Sequence, residues 1–384
     1  VIKNTTLWIF IVTLSLVCIG VTMVYSSSAS VAAYQKRCIL REKAPDVLKE
    51  TTLFHDSAFL KKQLIWVALS LGVMFFLYHF DYARLGKLSH WILAAVIALL
   101  ALVLVMGVTV NGARRWLRFG PFTLQPSELA KLALVIFMAR FLSEHKDKVK
   151  SFVRGFLPVL SILSGTLILI ILEPDFGSTV IIGAIVFIIW FIAGVRIVHL
   201  SSLFLSSIPC AVVAILVNPY RVRRILAFLN PWEHALGSGY QVIQSQIAVG
   251  SGGLAGLGLG CGLQKYHFLA EAHTDFIFAI VGEELGFVGS SLLVLLFAAL
   301  LILVVSVALR ATDYYTGLLA SGIITMICLS AAVNFWVVLG MLPPKGLALP
   351  FISYGGSSLL VNMAGIGILM NISRVTEEAT ARRR

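Results

Sequence analysis

Twelve consecutive residues, Gln264 to Asp275, bring a lysine, two histidines, a glutamate and an aspartate into a chain that is 59% hydrophobic. Residues of these types can hold an anion or move a proton. Asp275 ends the segment, and the chain turns apolar again at Phe276. An aspartate at such a boundary either caps a helix, a role it fills well, or acts as a base. Spacing alone favours the cap. Glu283 and Glu284 follow about two turns into the expected helix.

Other polar groups stand at comparable boundaries. Asn111-Gly-Ala-Arg-Arg-Trp116 reads as a turn followed by two cations, Arg114 and Arg115, and an interfacial aromatic. Pro126 suits the first turn of a helix. On that helix Glu128 and Lys131 lie three apart and share a face, either as a structural ion pair or as part of a cavity. Glu173-Pro-Asp-Phe-Gly-Ser178 interrupts two apolar runs. Turn chemistry accounts for Pro174, Asp175 and Gly177, whereas Glu173 at the end of a span could serve a cation or a hydroxyl. Tyr220-Arg-Val-Arg-Arg224 supplies Arg221, Arg223 and Arg224. Further on, Gln241, Gln244 and Ser245 share a helical face opposite Val242 and Ile243, as in a helix lying on a membrane surface. The glycine run from Gly250 to Gly262 permits close backbone approach. No strand precedes it, so it is not a dinucleotide loop. Leu342-Pro-Pro-Lys-Gly-Leu-Ala-Leu-Pro350 leads into Ser353-Tyr-Gly-Gly-Ser-Ser358. Lys345 beside a helix start, with Ser353 and Ser357, is either an anion site or a plain helix opening with small residues for packing.

The elements that must position these groups are membrane spans. Only 12% of the 384 residues are charged, about half the share usual in soluble domains, and mean hydropathy is +0.95. Continuous rather than alternating apolar runs argue against barrel strands. The reading is an all-α polytopic membrane protein, one integral domain over 1–384. About ten spans are expected at 7–25, 63–80, 91–110, 127–142, 155–172, 177–194, 197–218, 276–309, 314–340 and 354–371. Residues 26–62 form a polar insertion, and 219–275 a large extracytoplasmic loop between spans seven and eight. The eighth span is too long for one upright crossing. The first apolar run reads as a retained span, not a cleaved leader.

The net charge of +12 fits an anionic lipid or ligand, and nothing resembles the basic, aromatic-interleaved tract of a single-strand nucleic-acid binder. Weighting short flanking loops, Lys146 to Arg154 and the arginine-rich tail are cytoplasmic, which puts both termini inside. Arg114, Arg115, Arg221, Arg223, Arg224 and Lys345 then sit outside against that bias, as an anionic ligand would require. Five cysteines lack metal-ligand spacing; Cys38 and Cys261 both fall in expected loops, so a disulfide between them stays open.

The segments Asn111-Gly-Ala-Arg-Arg-Trp, Gln125-Pro-Ser-Glu-Leu-Ala-Lys, Glu173-Pro-Asp-Phe-Gly-Ser-Thr, Gly239-Tyr-Gln, His273-Thr-Asp-Phe-Ile-Phe-Ala, Glu283-Glu-Leu-Gly, Leu342-Pro-Pro-Lys-Gly and Pro350-Phe-Ile-Ser-Tyr-Gly-Gly-Ser-Ser resemble, in order, those of the SEDS family. These are the shape, elongation, division and sporulation membrane glycosyltransferases of bacteria. Lys345 and the Glu271-Ala-His-Thr-Asp275 run resemble its division-type members. Two departures are the long insertion at 26–62 and Ala270, where the family usually has proline.

The resemblance implies polymerisation of lipid II into glycan strands on the outer face of the cytoplasmic (inner) membrane, at the division septum. It implies a class B penicillin-binding transpeptidase and other divisome proteins as partners, and a divalent cation, Mg²⁺ or Mn²⁺. The catalytic aspartate carries over to Asp275, the cavity-lining pair to Glu128 and Lys131, and the loop lysine to Lys345. Arg114, Arg115, Arg221, Arg224, Gln241, His273, Ser353 and Ser357 are candidate substrate contacts; Glu128, Glu173 and Asp175 are candidate metal ligands. Displacement of a diphosphate needs one base rather than the two carboxylates of a glycosidase. Free aspartate is a weak base, pKa about 3.9, and burial beside Phe276 and Phe278 would raise it. Direct displacement inverts the donor sugar. A lipid II flippase and a non-catalytic divisome scaffold are the competing readings.

Overall fold

The computed structural model describes residues 4–42, 58–110, 113–120, 122–237, 239–266, 269 and 272–382. Its helices in chain order are α1 (Thr5–Glu42), α2 (Ala58–His79), α3 (Tyr82–Lys87), α4 (Ser89–Met106), α5 (Pro126–Glu144), α6 (Leu157–Leu172), α7 (Phe176–Ile192), α8 (Ile197–Leu216), α9 (Pro219–Leu229), α10 (Tyr240–Ser251), α11 (Ile277–Ala308), α12 (Tyr314–Val338) and α13 (Gly356–Arg382). Each of the ten expected spans has its helix. Among the described residues eight helical stretches are long and apolar enough to cross a membrane, and α7 is a shorter apolar helix.

The tenth, α5, is set apart by its charges. An ionisable group within a bilayer costs about 2.5–3.5 kcal/mol on insertion scales unless it is partnered. Here Lys131 Nζ lies 2.6 Å from Glu128 Oε1 with both side chains buried, and the flanking Ala130, Leu134, Val135 and Met138 are buried too. α5 is thus a central helix of the bundle. α13 is central as well, with 83% of its apolar window buried against 6% for the peripheral α8. Within α13, Asn371 Nδ2 donates to the carbonyls of Tyr78 and Phe80 at the end of α2.

Both ends of the described chain meet. The Thr6 amide donates to Glu377 Oε1 at 3.2 Å, and the Thr6 and Ser373 hydroxyls are 2.9 Å apart. An even number of crossings puts both ends on one side of the bundle and the loops after α4, α6, α8 and α12 on the other.

Three features differ from expectation. First, α1 does not stop near residue 25. At 1.5 Å per residue its 38 residues span about 57 Å, well beyond a hydrocarbon core of about 30 Å. The start of the 26–62 insertion therefore continues the first span; residues 43–57 lie outside the described residues, as does the side chain of Cys38. Second, α4 ends at Met106, and a three-stranded antiparallel sheet follows: β1 (Val108–Val110), β2 (Ala113–Phe119) and β3 (Phe122–Leu124). Thr109 pairs with Arg114 and Leu117 with Leu124. The Asn111-Gly112 dipeptide is a strong short-range hairpin signal, and β-branched and aromatic residues flank it.

Third, α11 is broken. Gly286 has φ 65° and ψ −162° inside it, a conformation open to glycine. The break divides a run too long for one crossing into a short segment and a full span. The glycine run covers the break. The Leu257 and Gly258 amides donate to the Glu283 and Glu284 carbonyls, and the Phe287 and Val288 amides to the Gly253 and Leu254 carbonyls, all at 2.9–3.1 Å. A β-carbon on Gly256, at φ 82°, would sit 2.2 Å from the Glu284 carbonyl oxygen.

Side chains complete this fastening. Glu283 Oε1 accepts from the Leu263 and Gln264 amides at 2.6 and 3.1 Å. Lys265 Nζ lies 2.5 Å from Glu284 Oε1, with both side chains buried, and Ser26 of α1 donates to Glu284. Lys265, part of the polar segment that ends at Asp275, is therefore a strut rather than a cation open to a ligand. Breaking one partner of such a pair costs about 3–5 kcal/mol, whereas apolar replacement of both is far milder. Glu284→Gln is expected to lower thermal stability strongly, and Lys265→Met with Glu284→Leu to recover most of the loss, as read by thermal unfolding in detergent.

Candidate active site

α10 packs on α11 and ends where the glycine run begins. Its apolar residues Val242, Ile243 and Ala248 are buried, and so is Ser245, whose hydroxyl donates to the Val338 carbonyl of α12 at 3.1 Å. The helix is seated on the bundle through Ser245, so that serine belongs to its packed side rather than to a polar surface face. Gln241, in its first turn, is partly exposed.

The glycine run and Lys265 deliver the chain to Asp275. The N-cap position of α11 is Phe276, which makes no side-chain cap hydrogen bond, so Asp275 stands one residue before the cap. The N-cap position that the spacing favoured for Asp275 is thus taken by Phe276. Phe276 and Phe278 beside it are buried. The backbone of the segment is held from two sides. Asn334 Nδ2 of α12 donates to the Asp275 carbonyl at 2.8 Å and to the Leu347 carbonyl at 2.7 Å. Ser353 Oγ donates to the Thr274 carbonyl at 2.5 Å, and the Tyr354 amide to the His273 carbonyl at 2.9 Å.

The 342–350 loop is thereby locked against the aspartate. A β-carbon on Gly346 would lie 2.9 Å from Asp275 Oδ2, so glycine is what lets the carboxylate sit there. The neighbouring Lys345 is largely buried, with Nζ 5.6 Å from the centre of the Phe176 ring. Burial lowers its pKa from the ordinary lysine value, opposed by nearby Asp175. The Arg221 guanidinium covers the same ring at 5.1 Å. Arg224 lies over Tyr220 at 4.7 Å and donates to the Pro344 carbonyl at 3.1 Å. Phe176 is thus a platform between two cations, a geometry in which ring and cation attract.

The turn before Phe176 adds two carboxylates with different fates. Asp175 caps α7, accepting from the Ser178 amide and hydroxyl at 3.1 and 2.7 Å, and from Gln125 and Ser127. Glu173 is wholly buried, and neither carboxylate oxygen has a hydrogen-bond partner. Its pKa is pushed up to about 8, chiefly by burial, then by Asp175, with Arg115 opposing. Arg115 reaches this turn from β2, donating to the Glu173 carbonyl at 3.2 Å and to the Pro174 carbonyl.

Asp275, Arg115, Glu173, Asp175, Arg221, Arg224 and Lys345 therefore converge, whereas the His273 ring packs 5.8 Å from that of Tyr354. Other candidates take different places. Adjacent residues of a strand face opposite ways, so Arg114 points away from Arg115 and is exposed. Ser353 and Ser357 are scaffold: Ser357 Oγ donates to the Thr123 carbonyl and accepts from the Gln125 amide. Glu128 is committed to Lys131 within α5. Among the described residues no three His, Cys, Asp or Glu side chains gather to hold a metal ion, so Glu128, Glu173 and Asp175 do not assemble as a ligand set. Sequence reasoning missed Phe176 and Asn334; an aromatic directly after a Pro-Asp turn and an asparagine deep in an apolar run were the available signals.

A family model described as "Cell cycle protein", covering FtsW, RodA and SpoVE, matches residues 6–378. The chain belongs to this family, the SEDS family. Among its relatives, stage V sporulation protein E of Bacillus subtilis (strain 168) is 44% identical over 372 residues, 96% of each chain. The "Probable peptidoglycan glycosyltransferase FtsW" of Geobacter metallireducens is 42% identical over 375 residues, 97% of this chain and 95% of the relative. One solved SEDS-like structure, described as "Structural coordination of polymerization and crosslinking by a peptidoglycan synthase complex", is 31% identical with a TM-score of 0.75 over 96% of this chain and 97% of that one. The rod shape determining protein RodA of Thermus thermophilus is 28% identical with a TM-score of 0.67 over 95% of each chain. With the family comes the enzyme class of its FtsW members, peptidoglycan glycosyltransferase.

The orphaned Glu173 sets a pH dependence for this SEDS protein. Its folded pKa of about 8 lies above the unfolded value of about 4.3. Its contribution to stability is complete below the unfolded value and is lost as pH rises through about 8. Thermal unfolding followed from pH 5 to 9 is expected to show a falling melting temperature for wild type and a flatter profile for Glu173→Gln.

Proposed function

We propose that the chain polymerises lipid II into glycan strands for septal wall synthesis, with Asp275 as general base. The observation that carries this is the Asp275 carboxylate: it stands before the α11 cap and is admitted by Gly346 against a lysine- and arginine-lined loop. In this reaction Asp275 takes the proton of the acceptor hydroxyl as that oxygen bonds to the anomeric carbon of the donor sugar. The bond to the diphosphate breaks on the opposite face, and undecaprenyl diphosphate leaves with the electron pair, inverting the centre. Positioned bases contribute typically about 10²–10⁴ in rate. Lys345, Arg221, Arg224 and Arg115 stand where fixed positive charge meets the charge developing on the leaving group. Mg²⁺ or Mn²⁺ is usually held by one or two carboxylates together with substrate phosphates; bound in that way it would neutralise charge on the leaving diphosphate.

The convergent cations lie at one end of the bundle, and the charged pair of α5 is closed on itself. That pattern favours chemistry at a membrane face over carriage of a charged headgroup through it. In this reading the site end is extracytoplasmic, both termini are cytoplasmic, and the protein works at the division septum with other divisome proteins. The similarity to a solved peptidoglycan synthase complex that coordinates polymerisation and crosslinking supports a class B penicillin-binding transpeptidase as its partner.

Purified chain with that partner and lipid II tests the assignment. Asp275→Ala and Asp275→Asn are expected to lose at least about 10²-fold in glycan formation; polymerisation by either at the wild-type rate overturns Asp275 as base. Gly346→Ala, which crowds the carboxylate without removing it, is expected to lower kcat by about 10–10²-fold while the protein still folds. Normal turnover in Lys345→Ala would remove that lysine from the site. Lipid II moved across vesicles without being joined would establish the flippase instead.

A further inference from the structure

Beside the site lies a second concavity, of about 1050 Å³, between α9 and the start of α10. It is larger than the usual 300–1,000 Å³ of a small-molecule pocket. Its walls combine flat aromatic faces, from Tyr220, Trp232 and Tyr240, with the guanidinium groups of Arg223 and Arg224 and the amide of Gln241. Trp232 is 71% exposed, and Arg223 is exposed as well. The Arg224 guanidinium donates to the Pro344 carbonyl, which sets this wall against the loop that faces Asp275, one residue from Lys345.

We infer that this concavity is a groove for the growing glycan strand, holding the sugars next to the pair being joined. The inference rests on the polymerase reading above. Pyranose rings present flat C–H faces that stack on exposed indole and phenol rings, and their hydroxyl and N-acetyl groups hydrogen-bond to amides and guanidinium groups. A strand bearing peptide stems also carries carboxylates, for which Arg223 is a planar two-pronged partner. The competing occupant is lipid headgroup, since tryptophan and tyrosine also gather at membrane surfaces. The guanidinium groups in its wall and the hydrogen bond from that wall to the catalytic loop favour the glycan.

Three measurements on the chain in nanodiscs test the groove. Calorimetric binding of a short, soluble, uncross-linked glycan fragment carrying peptide stems is expected to weaken about tenfold in Trp232→Ala and to recover in Trp232→Phe. Arg223→Gln is expected to weaken it also, but not binding of the same fragment stripped of its stems. In polymerisation assays Trp232→Ala is expected to shorten the strands, whereas Trp91→Ala, on an exposed residue of α4 far from the groove, leaves their length unchanged. Unaltered fragment binding and strand length in a folded Trp232→Ala protein overturn the proposal, as does strong quenching at position 232 by brominated lipid. Fragment binding that depends on Trp232 in a chain that forms no glycan would leave the groove standing and remove the polymerase reading.

Discussion

A peptide amide or carbonyl within a bilayer has no water to turn to, and α11 leaves several of both without helical partners where it breaks at Gly286. Much of the site's construction follows from satisfying them. The glycine run lies against the break because a β-carbon at Gly252 or Gly256 would collide with the Gly282 or Glu284 carbonyl. Once that backbone contact exists, Glu283 binds the next two amides and Glu284 binds Lys265 and Ser26. Asp275 follows a segment fastened at Leu263, Gln264 and Lys265, so the polar stretch that looked like an isolated patch continues that fastening.

Charge is handled in two ways. Glu128 with Lys131, and Glu284 with Lys265, are buried and closed, each ion answered by its neighbour. Around Phe176 the balance is left open: Lys345 and Arg221 share one aromatic ring, Asp175 is occupied as a cap, and Glu173 carries a proton near neutral pH. A region that holds positive charge against burial is prepared for an anion arriving from outside, and a lipid diphosphate has that chemistry.

The ten helices were legible because each needs about twenty apolar residues and the chain supplies them in order. The sheet was not, because Val108 to Val110 continue the apolar run of α4 and only the Asn111-Gly112 dipeptide marks the change of period. Asp275, Lys345 and the arginines could be named from residue type and resemblance, yet spacing favoured a cap for Asp275, and the one-residue offset to Phe276 is a matter of backbone geometry. Lys265 illustrates the opposite error. Read as a loop cation, it is among the most buried side chains in the molecule, and its partner nineteen positions away gave no sign in the sequence. Ser353 and Ser357 share a motif with the site but are spent on main-chain carbonyls. Arg114 and Arg115 differ by one position and therefore by one face.

Asn334 ties these strands together with a single amide group that donates to the carbonyls of Asp275 and Leu347. The aspartate segment and the lysine loop come from opposite sides of α12 in the chain, yet they share one anchor and so form a single mechanical part. Modularity in this fold does not follow the loops. A chimera that imports the aspartate segment from another member of the family has to bring residues 345–349 and the asparagine with it, because any one of the three transplanted alone arrives without its template.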